Sequence, residues 1–274
     1  MQLPGIRMRN WSLTMKTIRS IAELRHALAP LREGATVGLV PTMGALHEGH
    51  RALFAAARAE CGVVVASLFV NPAQFSDSSD LAAYPASFET DERVAAEDGV
   101  DFLFAPPVAE FYPAGYATWV EPEGAALGLE GEARPGHFRG VATACLKLFT
   151  IVRPDVAYFG RKDAQQVAVV KQLVRDLNLE LEIRTVPTVR DADGLALSSR
   201  NARLSGEERL RALAIPRALA THDPDRAAAL LADAGLDPVY VAVADLDGPT
   251  LAVAARVGST RLIDNVLLEG ETAA

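Results

Sequence analysis

Two histidines stand three residues apart in the segment VPTMGALHEGHRALF, Val40 to Phe54, in a chain of 274 residues that holds only five histidines. An apolar run leads into a turn of Pro41, Thr42, Met43 and Gly44, and a helical pattern follows from about His50. A helix that begins there presents free backbone N–H groups and the positive end of its dipole to the turn, which suits a phosphate. Imidazoles at such a mouth can donate hydrogen bonds to phosphate oxygens and stabilise charge that grows in a transition state. Zinc is the weaker reading, because metalloprotease histidines sit four apart on one helical face with a Glu between them. The plain alternative is a pair of surface-loop histidines.

Three further groups have side chains suited to the same chemistry. FVNPAQF places the amides Asn71 and Gln74 after an apolar strand; they suit hydroxyls and carboxylates without adding charge, or they form an ordinary Asn-Pro turn. FGRKDAQQ sets Lys162 and Asp163 at a strand-to-helix junction, with Gln165 and Gln166 in the first turn. The ammonium can bind a phosphate oxygen as a point charge, and the carboxylate can grip ribose hydroxyls or simply cap the helix. LALSSRNARLS brings Ser198, Ser199 and Arg200 into one loop, suited to a polyphosphate tail or to a solvated linker. Neither a P-loop nor a G-x-G-x-x-G after the first strand is present, so a nucleotide would be held in some other way.

The elements that must position these groups follow from the pattern. Apolar strands are expected at 36–40, 63–70, 101–106, 156–159 and 181–186, alternating with helices at 50–60, 87–97, 138–152 and 164–177. That alternation predicts an α/β fold: a Rossmann-like parallel sheet with helices on both faces, spanning residues 1–187. Such sheets bind ligands beyond the carboxyl ends of their strands, where every group above falls. From Thr188 the pattern turns to a smaller α+β unit, 188–274, with helices from Gly206 and Asp225 and a kink at Pro216. The segment MKTIRSIAELRHAL from Met15 has helical spacing, and Met15 is the expected start, with 1–14 an extension.

Composition narrows the class. Half the residues are apolar and 23% charged, which is globular. The net charge of −8 argues against a nucleic-acid partner, and no apolar run approaches the ~18 residues of a membrane span. Cys61 and Cys145 lack paired spacing and read as reduced core residues of a cytoplasmic protein.

Together PTMGALHEGH, FVNPAQF, GHFRGVATACLKLF, YFGRKDAQQ, VRDADGLALSSRN and ARVGSTRLIDN resemble the pantothenate synthetase family, from about Met15 to Glu269. The His-x-x-His element is shared with the wider nucleotidyltransferase superfamily; the combination with the other segments is specific. The resemblance implies an ATP-dependent ligase: pantoate attacks the α-phosphorus of ATP, and β-alanine then attacks the pantoyl adenylate, giving pantothenate and AMP. It implies catalytic roles for His47, His50, Lys162 and Arg200. ATP contacts are implied for Met43, His50, Gly160, Lys162, Asp163, Val189, Leu197, Ser198, Ser199 and Arg200. Asn71, Gln74 and Gln166 would hold the other substrates, Asp91 would serve a Mg2+ ion, and the family implies a homodimer. Arg134 and His137 lie in the matching glycine-rich loop. The chain departs from the family with Tyr84, Pro85, Ala86 and Ser87 where Tyr-Pro-Arg-Thr is frequent. It also has Thr90 at an often acidic position, Arg161 where Glu is frequent, and a shorter stretch between Thr221 and Pro238.

Competing readings are an adenylyltransferase with a phosphate acceptor, which the neutral amides disfavour, and a nucleotide sensor without catalysis, which predicts a lost catalytic group. An aminoacyl-tRNA ligase is disfavoured by the acidic charge.

Overall fold

The computed structural model describes residues 14–75, 81, 84 and 87–268. Residues 1–13 of the expected extension, together with Pro85, Ala86 and Glu269, lie outside the described residues.

The chain begins with β1 (Lys16–Ile18) and α1 (Ile21–Leu28), followed by β2 (Val37–Thr42), α2 (Glu48–Glu60) and β3 (Val63–Leu68). Next come α3 (Phe88–Glu97), β4 (Phe102–Phe104) and the short α4 (Val108–Phe111) and α5 (Leu129–Ala133). Then α6 (His137–Val152), β5 (Val156–Gly160), α7 (Ala164–Asp176) and β6 (Glu182–Val186) complete the first unit. Residues 16–18 correct the expectation of one helix from Met15. They pair in parallel with Phe102–Phe104, and the helix starts only after Ser20, whose side chain accepts the N–H of Glu23.

The six strands are parallel, in the order β1-β4-β3-β2-β5-β6. Alternate side chains leave opposite faces of a strand. Accordingly Val37, Leu39, Val65, Phe102, Phe104 and Phe159 join one core with α1 and α6, whereas Val40, Val64, Leu103 and Tyr158 join another with Leu53 and Phe54 of α2. This double burial explains the unbroken apolar runs. From β2 the chain winds outward through β3 to β4; from β5 it winds the other way to β6. The direction reverses between β2 and β5, and a crevice opens at such a switch point beyond the strand ends. The two turns with the most reactive side chains, His47–His50 and Lys162–Asp163, follow these two strands.

Beyond β6 come α8 (Gly206–Ala212), α9 (Ala214–Leu219), α10 (Pro224–Asp233) and the antiparallel meander β7 (Asp237–Asp245), β8 (Pro249–Val257) and β9 (Thr260–Leu267). Pro216 lies in the first turn of α9, where its missing N–H costs no helical bond. Ile215, Leu219, Leu231, Leu251, Val253 and Leu262 form a core separate from those of the large sheet. Among the described residues no helix is long and apolar enough to cross a membrane.

Candidate active site

The residues between Pro41 and His50 form one bonded unit. Thr42 donates its Oγ1 hydrogen to Ser67 O at 2.7 Å, tying the end of β2 to β3. Gly44 has φ +89°, and a Cβ there would lie 2.7 Å from Asp91 Oδ2 and 2.9 Å from Leu68 Cδ1. Only glycine meets both conditions. Asp91, 3% exposed, accepts the N–H groups of Ala45 (2.9 Å) and Leu46 (2.8 Å), one on each carboxylate oxygen.

The helix starts two residues earlier than its apolar pattern implies, and His47 is its N-cap. His47 Nδ1 accepts the N–H of Gly49 at 3.1 Å, and His50 Nδ1 accepts the N–H of His47 at 3.2 Å. A nitrogen that accepts has no proton, so the neutral rings carry hydrogen on Nε2. Burial lowers both pKa values, that of His50 to about 3, with the neighbouring ring and Lys162 adding to the effect. Each ring is thus a neutral, oriented Nε2–H donor. The ring centroids are 4.2 Å apart, and both line a cavity of about 250 Å3.

Further lining comes from the turn after β3 and from α6. Asn71 is buried, and all its hydrogen-bonding groups serve protein: Nδ2 donates to Gln74 Oε1 and Gly140 O, and Oδ1 accepts from Ala73 N and Tyr112 Oη. It lines the cavity mainly as the holder of Gln74. Gly140 lets α6 approach this turn; a Cβ there would sit 2.3 Å from Ala73 O. Gln74 Nε2 lies 3.0 Å from Met43 Sδ, and Gln74 O is gripped by His137 Nδ1 at 3.0 Å and Arg134 Nη2 at 3.3 Å. Burial and Arg134 push the His137 pKa down to about 4.

After β5, Gly160, Lys162 and Asp163 reach the same cavity. Asp163 makes no capping bond to α7, which removes the plain reading of a capped helix start. The Lys162 ammonium has no carboxylate within 4 Å among the described residues. The adjacent glutamines divide their work. Gln165 is buried, donating to the carbonyls of Ala125, Leu127 and Gly128 and accepting Glu130 N–H, while Gln166 lines the cavity.

The last wall is no loose linker. Arg190 bridges Ala196, and Leu197 N donates to Val189 O at 3.0 Å, so Val189 and Leu197 face each other across a tied hairpin. Ser198, Ser199 and Arg200 continue from it into the cavity rim. Tyr84, noted in the sequence only as part of a departure, also lines the cavity. It is hydrogen-bonded with Ser199, and burial raises its phenol pKa.

Asp91 stands apart from this set. It does not line the cavity, and both of its oxygens are bonded to the backbone of the Met43–Leu46 turn. These two bonds make Asp91 the holder of the turn. Among the described residues no cluster of three or more His, Cys, Asp or Glu fits a metal ion. Cys61 and Cys145 are buried and unpaired, as expected of core thiols.

Fold and cavity together define a Rossmann-like α/β protein whose crevice, at the topological switch point, is lined by His47, His50, Arg134, Lys162 and Arg200. The family model described as Pantoate-beta-alanine ligase matches residues 16–267. The pantothenate synthetase of Moorella thermoacetica is 50% identical, over 93% of this chain and 99% of that protein. Pantothenate synthetase 1 of Bradyrhizobium diazoefficiens is 51% identical over 93% and 98%. The crystal structure of pantothenate synthetase from Thermus thermophilus superposes with a TM-score of 0.87 at 45% identity, covering 93% of this chain and 100% of that one. Pantoate-beta-alanine ligase from Francisella tularensis, complexed with beta-gamma ATP and beta-alanine, gives 0.85 at 36%, covering 94% and 99%. The chain belongs to the pantoate–β-alanine ligase family.

Proposed function

We propose that the crevice between β2 and β5 carries both half-reactions of a pantoate–β-alanine ligase. In the first, a pantoate carboxylate oxygen bonds to the α-phosphorus of ATP and pyrophosphate leaves with the electron pair of the broken P–O bond. In the second, the β-alanine amine attacks the pantoyl carbonyl, AMP leaves, and the amine loses a proton. A carboxylate is a poor acyl donor because oxide is a poor leaving group; AMP is a good one.

The observation that carries this reading is the grouping of two neutral Nε2–H imidazoles and the Lys162 ammonium, which has no carboxylate partner among the described residues, around one cavity. Donors already aimed at a phosphate need no reorganisation as charge develops. His47, His50 and Lys162 serve the α- and β-phosphate oxygens in this reading, and Ser198, Ser199 and Arg200 the leaving pyrophosphate. Val189 and Leu197 flank adenine, Gly160 and Asp163 the ribose, and Met43 offers its backbone to the reacting groups. Gln74 and Gln166 bind pantoate as neutral amides, which avoids trapping its carboxylate in an ion pair. Asn71 orders Gln74 beside the amine's approach. Magnesium would enter with ATP as the substrate's counter-ion. The homodimer and the cytoplasmic location belong to the same reading.

The test is product stoichiometry. Purified protein with ATP, pantoate and β-alanine is expected to release AMP, pyrophosphate and pantothenate in equal amounts. ADP and inorganic phosphate in place of AMP would overturn attack at the α-phosphorus.

A further inference from the structure

The segment ARVGSTRLIDN has no role in the chemistry above, yet its last two residues touch both sides of the crevice. Asp264 and Asn265 lie on β9, at the edge of the C-terminal sheet, and are 3% and 6% exposed. Consecutive strand residues project to opposite faces, so one dipeptide can address two segments. Asn265 Nδ2 donates to the carbonyls of Arg161 (3.0 Å) and Lys162 (2.8 Å). Both donors of the amide are thus committed to the turn that carries the Lys162 ammonium. The Asp264 carboxylate takes Arg190 in a bidentate pair, at 2.6 and 3.1 Å. Arg190 is the residue whose bridge to Ala196 sets Val189 against Leu197. A planar fork on a carboxylate fixes orientation as well as distance.

The same sheet holds the turn a second time. Arg161 Nη2 donates to Thr250 Oγ1 of β8 at 2.8 Å, and its Nη1 lies 3.6 Å from Asp247. Neither Asp264 nor Asn265 borders the main cavity; both line a separate one of about 30 Å3 beside it. They therefore act through Lys162 and Arg190.

We propose that Asp264 and Asn265 are a positioning pair that indexes the phosphate side of the crevice against its adenine side. Asn265 sets the height of Lys162, and Asp264 sets the hairpin of Val189 and Leu197. This rests on the ligase reading, in which Lys162 meets phosphate and the hairpin meets adenine. Displacing a catalytic group by about 1 Å can cost on the order of 100-fold in rate.

The test is the pre-steady-state burst of pyrophosphate with ATP and pantoate and without β-alanine. Burst amplitude counts competent sites, and the burst rate constant reports adenylate formation. Asn265→Ala is expected to lower the rate constant about 10- to 100-fold with amplitude kept and the half-saturating ATP concentration changed by less than about twofold. Asp264→Asn is expected to raise that ATP concentration about tenfold with the saturated rate constant nearly kept, and Arg190→Lys, which retains charge but not the fork, to do the same. Wild-type rate constants and ATP dependence in all three would overturn the proposal. So would losses confined to amplitude, which mark a purely structural role. Should Asn265→Ala fail to fold, Asn265→Ser provides the same reading. A wild-type enzyme with no burst would refute the ligase reading instead.

Discussion

The Nδ1 of His50 accepts the backbone N–H of His47 at 3.2 Å, so one histidine of the pair caps the helix turn that the other begins. Protonation of that nitrogen would break the cap and bury a charge. His50, with a folded pKa of about 3, and His137, at about 4, both stay neutral well below the ordinary value of 6.5. Between about pH 6.5 and these folded values the unfolded chain binds more protons than the folded one, so acid favours unfolding. The melting temperature is expected to be flat above about pH 7 and to fall from pH 6.5 towards 4.5, with each histidine contributing on the order of a few kcal/mol. His50→Asn should make the fall shallower. Thermal melts of both proteins across this range check it.

In the proposed mechanism capping and chemistry use different nitrogens of His50, so the two are separable. An asparagine side chain in its place would offer an oxygen where Nδ1 accepts but no donor where Nε2 lies. His50→Asn is therefore expected to keep the melting temperature at pH 8 to within a few degrees while adenylate formation falls on the order of 10²–10³-fold, the effect of one lost transition-state donor. Near-normal turnover would remove His50 from the phosphate contacts.

Gly140 admits no side chain without movement of the Ala73 backbone. Gly140→Ala is expected to destabilise the protein by about 1–3 kcal/mol, as overpacking does, and to raise KM for pantoate, because Gln74 rides on the displaced turn. Denaturant midpoints and pantoate titrations measure the two effects.

Asp91 offers a direct check on the metal question. Asp91→Asn keeps shape but replaces one acceptor of the Ala45 and Leu46 N–H groups with a donor. Stability is expected to fall by about 1–3 kcal/mol and turnover with it. The magnesium concentration for half-maximal rate should not change. A large rise in that concentration would return Asp91 to the role of a metal ligand.

Much of the large sheet was legible because strands buried on both faces leave unbroken apolar runs, and the crevice residues follow their carboxyl ends. The first strand was hidden. Lys16–Ile18 is three residues long, and its neighbours carry helical spacing that only the Ser20 cap interrupts. Side-chain commitments were the least readable. Gln165 and Gln166 are adjacent and identical in type, yet one is bonded to three carbonyls of a distant loop and the other lines the crevice. An acidic residue near a helix start is equally compatible with a metal ion and with a backbone turn. The backbone partners of Asp91 lie 45 and 46 residues away, so only the tertiary fold brings them to it. The Nδ1 atoms of His47 and His50 likewise acquire their backbone partners only when α2 starts at Glu48.

Activation of pantoate on the α-phosphorus of ATP, in the crevice between β2 and β5, is tested most directly by exchange of labelled pyrophosphate into ATP. The assay contains magnesium and no β-alanine, and it compares the wild type with Lys162→Ala. Exchange is expected only when pantoate is present, and it should fall on the order of 10²–10³-fold in the variant. Exchange that needs no pantoate, or that survives the loss of the Lys162 ammonium unchanged, would contradict this activation.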